Sequence, residues 1–217
     1  MTLRWGPAAT AALLLLGAPA VAGCAPSGAA PTAGATSSPA LPTDAAGLEP
    51  LLVDQVPSGL PRVPDDELDP PAGEKTIDDV ARYGDDAQHQ EHVLGQYGYQ
   101  RGWERFWRSG DQLTSVFLDQ FADAGGAASY AVDLAGNDAD YYGGTLDPDP
   151  SGLPEDCVLL LRTTPAPDVG MAGPAAFSWC PRGSFTVSVA AVAADVDAAR
   201  TEVLAVTRAQ LDRLPPA

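Results

Sequence analysis

The sequence has few of the side chains from which most catalytic and metal sites are built. Its 217 residues include two histidines, three cysteines and a single lysine, Lys75. It contains no Gly-x-Ser-x-Gly motif to position a nucleophilic serine, and no glycine-rich phosphate loop between a strand and a helix. We therefore expect neither an enzyme nor a cofactor. The alternative is an enzyme whose site is assembled from distant residues, which leaves no short motif.

Positive charge is also scarce. The chain has 12 lysine and arginine residues against 29 aspartate and glutamate residues, which gives a formal net charge of −17. A chain this acidic repels nucleic acids and anionic lipid headgroups. Nucleic acid is therefore not an expected partner.

The apolar stretch near the N-terminus is too short to span a membrane. It runs from Ala8 to Ala18 and is followed by Pro19, whereas a membrane-spanning helix needs roughly 18 to 20 apolar residues. Arg4 precedes this stretch and small residues follow it. A positive start, a short apolar core and a small-residue end are typical of a secretory signal peptide.

The small-residue end has the sequence Val21-Ala22-Gly23-Cys24, which resembles the lipobox of bacterial lipoproteins. The resemblance implies cleavage after a signal peptide of residues 1–23 and attachment of a diacylglyceryl group to the Cys24 thiol. It also implies a lipid anchor on the extracytoplasmic face of the cell membrane. The alternative is an ordinary secretory signal that is cleaved near Ala18 or Ala20.

The residues that follow the lipobox are expected to form a flexible tether. Residues 25–43 are uncharged and consist of alanine, proline, serine, threonine and glycine, with one leucine. Such a composition cannot bury a hydrophobic core. We assign residues 24–47 to a lipidated tether and residues 48–217 to a single domain, and the lipid is its only expected contact with the membrane.

Two cysteines remain once Cys24 carries lipid. Cys157 and Cys180 form an even pair in a chain with an export signal, and this favours a disulfide bond between them. The alternative is two unrelated free thiols.

The hydrophobic pattern predicts an α+β domain with a mainly antiparallel sheet and an amphipathic C-terminal helix. Residues 48–56 are expected to form a short strand or an extended packing segment, and residues 137–156 are expected to be mostly loop. The expected helices are 76–84, 86–94, 124–134 and 195–214. The expected strands are 112–121, 157–161, 175–180 and 184–193.

The segment 97–107 alternates aromatic and basic residues and fits either a helix or a strand. Its aromatic content and the following Ser109-Gly110-Asp111 sequence favour a β-hairpin. Alternating arginines and rings could form a cation–π ladder or line a cleft for an anionic or glycan ligand. The alternative is that the rings pack in the core and the arginines offset nearby acids. The candidate ligand-binding residues are Tyr99, Arg101, Trp103, Arg105 and Trp107.

The same segment resembles part of a known group of proteins. Gly-Tyr-Gln-Arg-Gly-Trp at 98–103, with Arg105 and Trp107, and Phe-Ala-Asp-Ala at 121–124, are similar to actinobacterial cell-envelope lipoproteins of unassigned function. The resemblance implies an envelope location and a binding or structural role, and it supplies no site residues. We expect a small envelope ligand or an envelope protein as the partner.

Two further motifs fall short of metal sites. His89 and His92 could share one face of a helix, but no third ligand is evident, so we expect solvated side chains. The acidic run 147–152 is similar to the start of a calcium-binding loop, yet Val158 occupies the position of the closing glutamate. An acidic turn is expected there, and no metal.

Substitution of the lipidated cysteine tests the anchor. Cys24→Ser removes the thiol that would carry the lipid, and two or more acyl chains are what hold such a protein stably at a membrane. We expect the variant to appear in the medium or periplasm when membrane and soluble fractions are compared. Retention of the variant in the membrane fraction would show that Cys24 is not the anchor.

Overall fold

The computed structural model describes residues 41–216, which form a seven-stranded sheet and four α-helices. The lipobox, the signal peptide and residues 24–40 of the expected tether lie outside the described residues. Strands occur in the order β1-β2-β3-β7-β6-β5-β4, and each neighbouring pair is antiparallel. The expected α+β class with an antiparallel sheet is confirmed.

The bounds of the elements are as follows. The strands are β1 Gly73–Lys75, β2 Tyr99–Ser109, β3 Gln112–Phe121, β4 Thr145–Asp147, β5 Val158–Arg162, β6 Ala175–Arg182 and β7 Phe185–Val192. The helices are α1 Ile77–Ala81, α2 Ala87–Tyr97, α3 Ala124–Tyr142 and α4 Val196–Asp212.

Each helix begins at a side chain that accepts a hydrogen bond from a backbone amide of the first turn. Asp86, Asp123 and Asp195 cap α2, α3 and α4, and Thr76 forms a reciprocal capping box with Asp79 at α1. Such caps satisfy amides that have no partner within the helix. They fix where the strands end and the helices begin.

Helix α3 is longer than the sequence predicts. It continues to Tyr142, so the expectation of loop from residue 137 is wrong for its first six residues. Ala127, Ala131 and Ala135 are fully buried along one side of the helix. Their small side chains let the helix lie close to the sheet, and this packing outweighs the weak helix propensity of the glycines and Asn137. Part of the remaining loop forms β4, which pairs with β5.

The sheet has two covered faces. The α4 face carries Trp107, Leu118 and Val187 and is covered by α4 together with the segment that precedes β1. The α3 face carries Leu160 and Phe177 beneath α3, with a smaller cluster under α1 and α2. No helix within residues 41–216 has the length and apolar character needed to cross a membrane.

The segment before β1 lies on the α4 face and pairs with the sheet only through an isolated antiparallel bridge between Arg62 and Trp107. It contains a short 3₁₀ turn at Glu49–Leu51, and Leu48 and Leu52 are completely buried. Residues 41–47, which the sequence assigns to the tether, also contact the sheet. Ala45 is 5% exposed, and Gln120 Nε2 donates a hydrogen bond of 3.1 Å to the carbonyl of Pro42.

The predicted disulfide bond is present. It joins Cys157, which immediately precedes β5, to Cys180 within β6, across a sequence separation of 23 residues. Both residues are buried in the core of the α4 face. The bond therefore ties the outer part of the sheet to its centre.

Removal of this bond should destabilise the domain. Closing a loop of this length stabilises the folded state by roughly 3 kcal/mol in the chain-entropy model. We expect the double variant Cys157→Ala/Cys180→Ala to lose about that much free energy of unfolding in urea, while its far-ultraviolet circular dichroism is retained. Two reactive thiols in the unreduced parent protein would contradict the pairing.

Candidate functional site

Strand β2 divides the five predicted ligand-binding residues between the two faces of the sheet. Arg101, Trp103, Arg105 and Trp107 alternate with other residues on the α4 face. Tyr99 lies on the α3 face, because the register of β2 and β3 shifts between Tyr99 and Arg101. The structure therefore does not form one ladder of all five side chains.

Arg105 and Trp107 belong to the core. Trp107 is 1% exposed and Arg105 is 2% exposed. The Arg105 guanidinium donates a hydrogen bond of 2.7 Å to the carbonyl of Val53, and it lies 3.3 Å from Asp54 and 3.6 Å from Glu49. These contacts hold the N-terminal segment on the sheet and leave Arg105 no free surface for a ligand.

Arg101 and Trp103 lie in a different environment, at the end of the α4 face near the β6–β7 turn. Arg101 is opposite Gln120, Gln120 is opposite Phe185, and Phe185 is opposite Arg182. Neighbouring strands are about 4.8 Å apart, so these residues form one row across four strands. We call Arg101, Gln120 and Arg182, with Trp103 and Ser184 beside them, the polar row.

Buried polar atoms without hydrogen-bond partners are concentrated in the polar row. Residues 41–216 contain eight such side-chain atoms, and five of them belong to this group. They are Arg101 Nη1, Trp103 Nε1, Gln120 Oε1, Arg182 Nε and Ser184 Oγ. Buried polar groups in folded proteins are nearly all hydrogen-bonded. Five such atoms at one end of the sheet make that end a candidate binding site.

The two arginines of the polar row also differ from most other cationic residues because their side chains have no hydrogen-bond or ion-pair partner among the described residues. In the described part of the chain, eight of the eleven cationic side chains donate a hydrogen bond or lie within an ion pair. The other three are Arg101, Arg182 and Arg108, and only Arg108 is exposed. In an acidic chain, two half-buried guanidinium groups without a carboxylate are available to bind an anion.

A second polar cluster lies on the α3 face, beneath α1. Lys75 Nζ lies 3.3 Å from Glu104 Oε2, and the Tyr83 hydroxyl donates a hydrogen bond of 2.5 Å to Glu104 Oε1. Lys75 and Glu104 are 4% and 3% exposed. Burial raises the pKa of Glu104, and the bonds from Tyr83 and Lys75 act against this rise.

Asp119 lies beside this cluster and has no cationic partner among residues 41–216. It is opposite Gly102 in the sheet, and a Cβ at Gly102 would lie 2.5 Å from Asp119 Oδ1 and 2.6 Å from Tyr99 Oη. Only glycine leaves room for both side chains. Burial and then the charge of Glu104 raise the pKa of Asp119 to about 7.

The motifs considered for metal binding do not assemble a site. His89 and His92 are both exposed on α2, and His92 contacts Gln96. Asp147 lies in β4 and accepts a hydrogen bond from the amide of Asp149, which is the local bond of an acidic turn. No three histidine, cysteine, aspartate or glutamate residues within 41–216 are grouped to hold a metal ion.

Of the residues in the polar row, the sequence pattern predicts Arg101 and Trp103 as ligand-binding residues but does not point to Gln120, Ser184 or Arg182. The missed residues come from three different strands or turns, which the β3–β7 and β6–β7 pairings bring to one end of the sheet. No short motif records such pairings. The only local signal is an arginine after Pro181 in a strand that is otherwise apolar except for Ser178.

Comparison with known proteins places the chain in no family. No family model matches the sequence. No curated protein matches it either. Among solved structures, the crystal structure of the extracellular domain of PknH from Mycobacterium tuberculosis superposes with a TM-score of 0.41 and 10% sequence identity. The superposition covers 58% of this chain and 71% of that domain.

The raised pKa of Asp119 predicts a pH dependence of stability. An aspartate that titrates at 3.8 in the unfolded chain and at about 7 when folded binds its proton more tightly in the folded state. Its contribution to the free energy of unfolding therefore falls as pH rises from about 4 to 7, by at most about 4 kcal/mol. Asp119→Asn should be more stable than the parent at pH 8 and should lose most of this slope.

Chemical denaturation at pH 5 and pH 8 measures this effect. The exposed hairpin residue Asp111 provides the matched control, since Asp111→Asn makes the same chemical change outside the core. A residual slope is expected from Glu104 and from Asp138, because burial raises the pKa of both. A variant Asp119→Asn that is less stable than the parent at pH 8 would contradict a buried, uncompensated charge.

Proposed function

We propose that this chain is a lipid-anchored extracytoplasmic binding domain that holds a small anionic ligand at the polar row. The observation that carries the proposal is the set of five unpaired buried polar atoms around Arg101 and Arg182. The anchor is the expected lipid on Cys24. The Cys157–Cys180 bond supports an oxidising compartment outside the cytoplasm.

The unpaired atoms define the chemistry of the ligand. Arg101, Arg182 and Trp103 offer N–H donors, which an oxyanion such as a phosphate or a carboxylate accepts. Hydrogen bonds from arginine to an oxyanion are charge-assisted and stronger than those between neutral groups. Gln120 Oε1 is an acceptor, so the ligand should also carry a hydroxyl. A phosphorylated or acidic sugar has both groups.

The residue types in the polar row favour binding over catalysis. Its unpaired atoms belong to two arginines, a tryptophan, a glutamine and a serine, without a base to activate the serine. An extracytoplasmic enzyme is the alternative function. The observation in its favour is Asp119, since a carboxyl group that titrates near neutral pH suits a general acid or base. Asp119 lies on the α3 face, so it would not act on a ligand of the polar row.

Calorimetric titration of the whole chain tests the proposed function. Glucose 6-phosphate and glucuronate are the probes, and glucose is the neutral comparison. We expect both anions to bind and glucose to bind about tenfold more weakly or not at all. Arg101→Gln and Arg182→Gln should each weaken binding about tenfold or more, because a charge-assisted bond contributes roughly 1.5–3 kcal/mol.

Arg108→Gln is the matched control for these variants. Arg108 also has no side-chain partner among the described residues, but it is exposed at the opposite end of β2. The control should bind like the parent. Equal weakening by Arg108→Gln would show a general charge effect, and unchanged binding in Arg101→Gln and Arg182→Gln would place the ligand elsewhere.

A further inference from the structure

We infer that a second site, for a ligand with an aliphatic chain and an ammonium group, lies between α4 and the segment at residues 57–60. This site is at the other end of the α4 face from the polar row. It is independent of the proposed function, because none of its residues belongs to the polar row. Its evidence is a groove with mostly apolar walls and a buried carboxylate in its lining.

The groove has a volume of about 460 Å³, which lies within the usual range of small-molecule sites. One wall is the segment at Pro57 and Leu60, and the opposite wall is the first two turns of α4 at Ala198 and Thr201. The ends of β3 and β7 form the floor, with Ala191 among the apolar residues that line it. An aliphatic chain fits these surfaces.

Glu202 gives the groove its charge. It is 8% exposed and accepts hydrogen bonds from the Ser58 amide at 2.9 Å, the Ser58 hydroxyl at 2.6 Å and the Thr114 hydroxyl at 3.2 Å. An ionised carboxylate has about four acceptor positions, so one remains. No cation pairs with Glu202 in the part of the chain that the structure describes. A buried carboxylate without a counter-ion is costly, and an ammonium group in the groove would supply one.

The surroundings of Glu202 select against an anionic ligand. Asp197 lines the same groove and adds a second negative charge near its rim. The amide of Ala198 at the start of α4 is already bonded to Asp195, 2.8 Å away, so the helix start offers this donor to no anion. A neutral alcohol would fill the apolar space but would leave the charge of Glu202 uncompensated.

Titration calorimetry with three ligands of one chain length tests the inference on the whole chain at pH 7. Hexylammonium should bind, hexanol should bind about tenfold more weakly, and hexanoate should produce no heat. Ala198→Leu fills the groove from an exposed position and leaves the bonds of Glu202 in place. It should therefore weaken hexylammonium binding about tenfold without lowering the melting temperature.

Two further variants separate charge from folding. Glu202→Gln removes the charge and should abolish hexylammonium binding, although loss of the bonds to Ser58 also lowers stability. Asp197→Asn should weaken binding and lower the melting temperature only slightly, because its carboxylate interacts favourably with the N-terminus of α4. Asp212→Asn at the far end of α4 should leave binding unchanged. Equal affinities for hexylammonium and hexanol, or no heat with hexylammonium, would overturn the inference.

Discussion

The guanidinium group of Arg105 is buried between strand β2 and the segment that precedes β1, and the α4 face of the sheet depends on this contact. Arg105 bonds to the carbonyl of Val53, while Gln210 of α4 accepts from the Val53 amide and donates to the carbonyl of Leu51, each at 2.9 Å. A strand, a helix and an irregular segment are thus joined through the backbone of a few residues. Together with the burial of Leu48 and Leu52, these bonds hold the segment over the apolar side chains of this face, Trp107 among them.

The course of this segment explains why the two candidate sites lie where they do. The segment enters the face at Pro42, beside Gln120, and reaches the opposite end at Ser58, beside Glu202. Between these points it packs against the sheet with Leu48 and Leu52. At one end the polar row keeps buried atoms without hydrogen-bond partners, and at the other end a groove separates the segment from α4. The two candidate sites thus lie at the two ends of the path that residues 42–58 take across this face.

The elements with local signals could be predicted from the sequence, whereas the sites depend on contacts between distant residues. The turn at residues 109–111 and the helical pattern that begins at residue 76 correctly predict the β2–β3 hairpin and the start of α1. The length of α3 was not predictable from propensity, because packing of three alanines against the sheet sustains it. Alternation placed Tyr99 on the same face as Arg101, but the irregular register of β2 and β3 reverses it. Arg182 and Gln120 come together only through the order of β3, β7 and β6, which no local pattern encodes.

Because the chain is acidic, an unpaired positive charge is stronger evidence for a binding site than an unpaired negative charge. With 29 acidic residues against 12 basic ones, a carboxylate is easily placed beside any arginine, as Arg62, Arg82 and Arg213 show. Arg101 and Arg182 are half-buried at the same end of the sheet and have no carboxylate partner among the described residues. A shortage of carboxylates does not explain this. Cations, by contrast, are few, so a carboxylate without a cation such as Glu202 is expected in this chain. The evidence for the ammonium site is therefore first the position of Glu202 in a groove with apolar walls. The anion site thus depends on charge and unpaired donors, and the ammonium site depends first on shape.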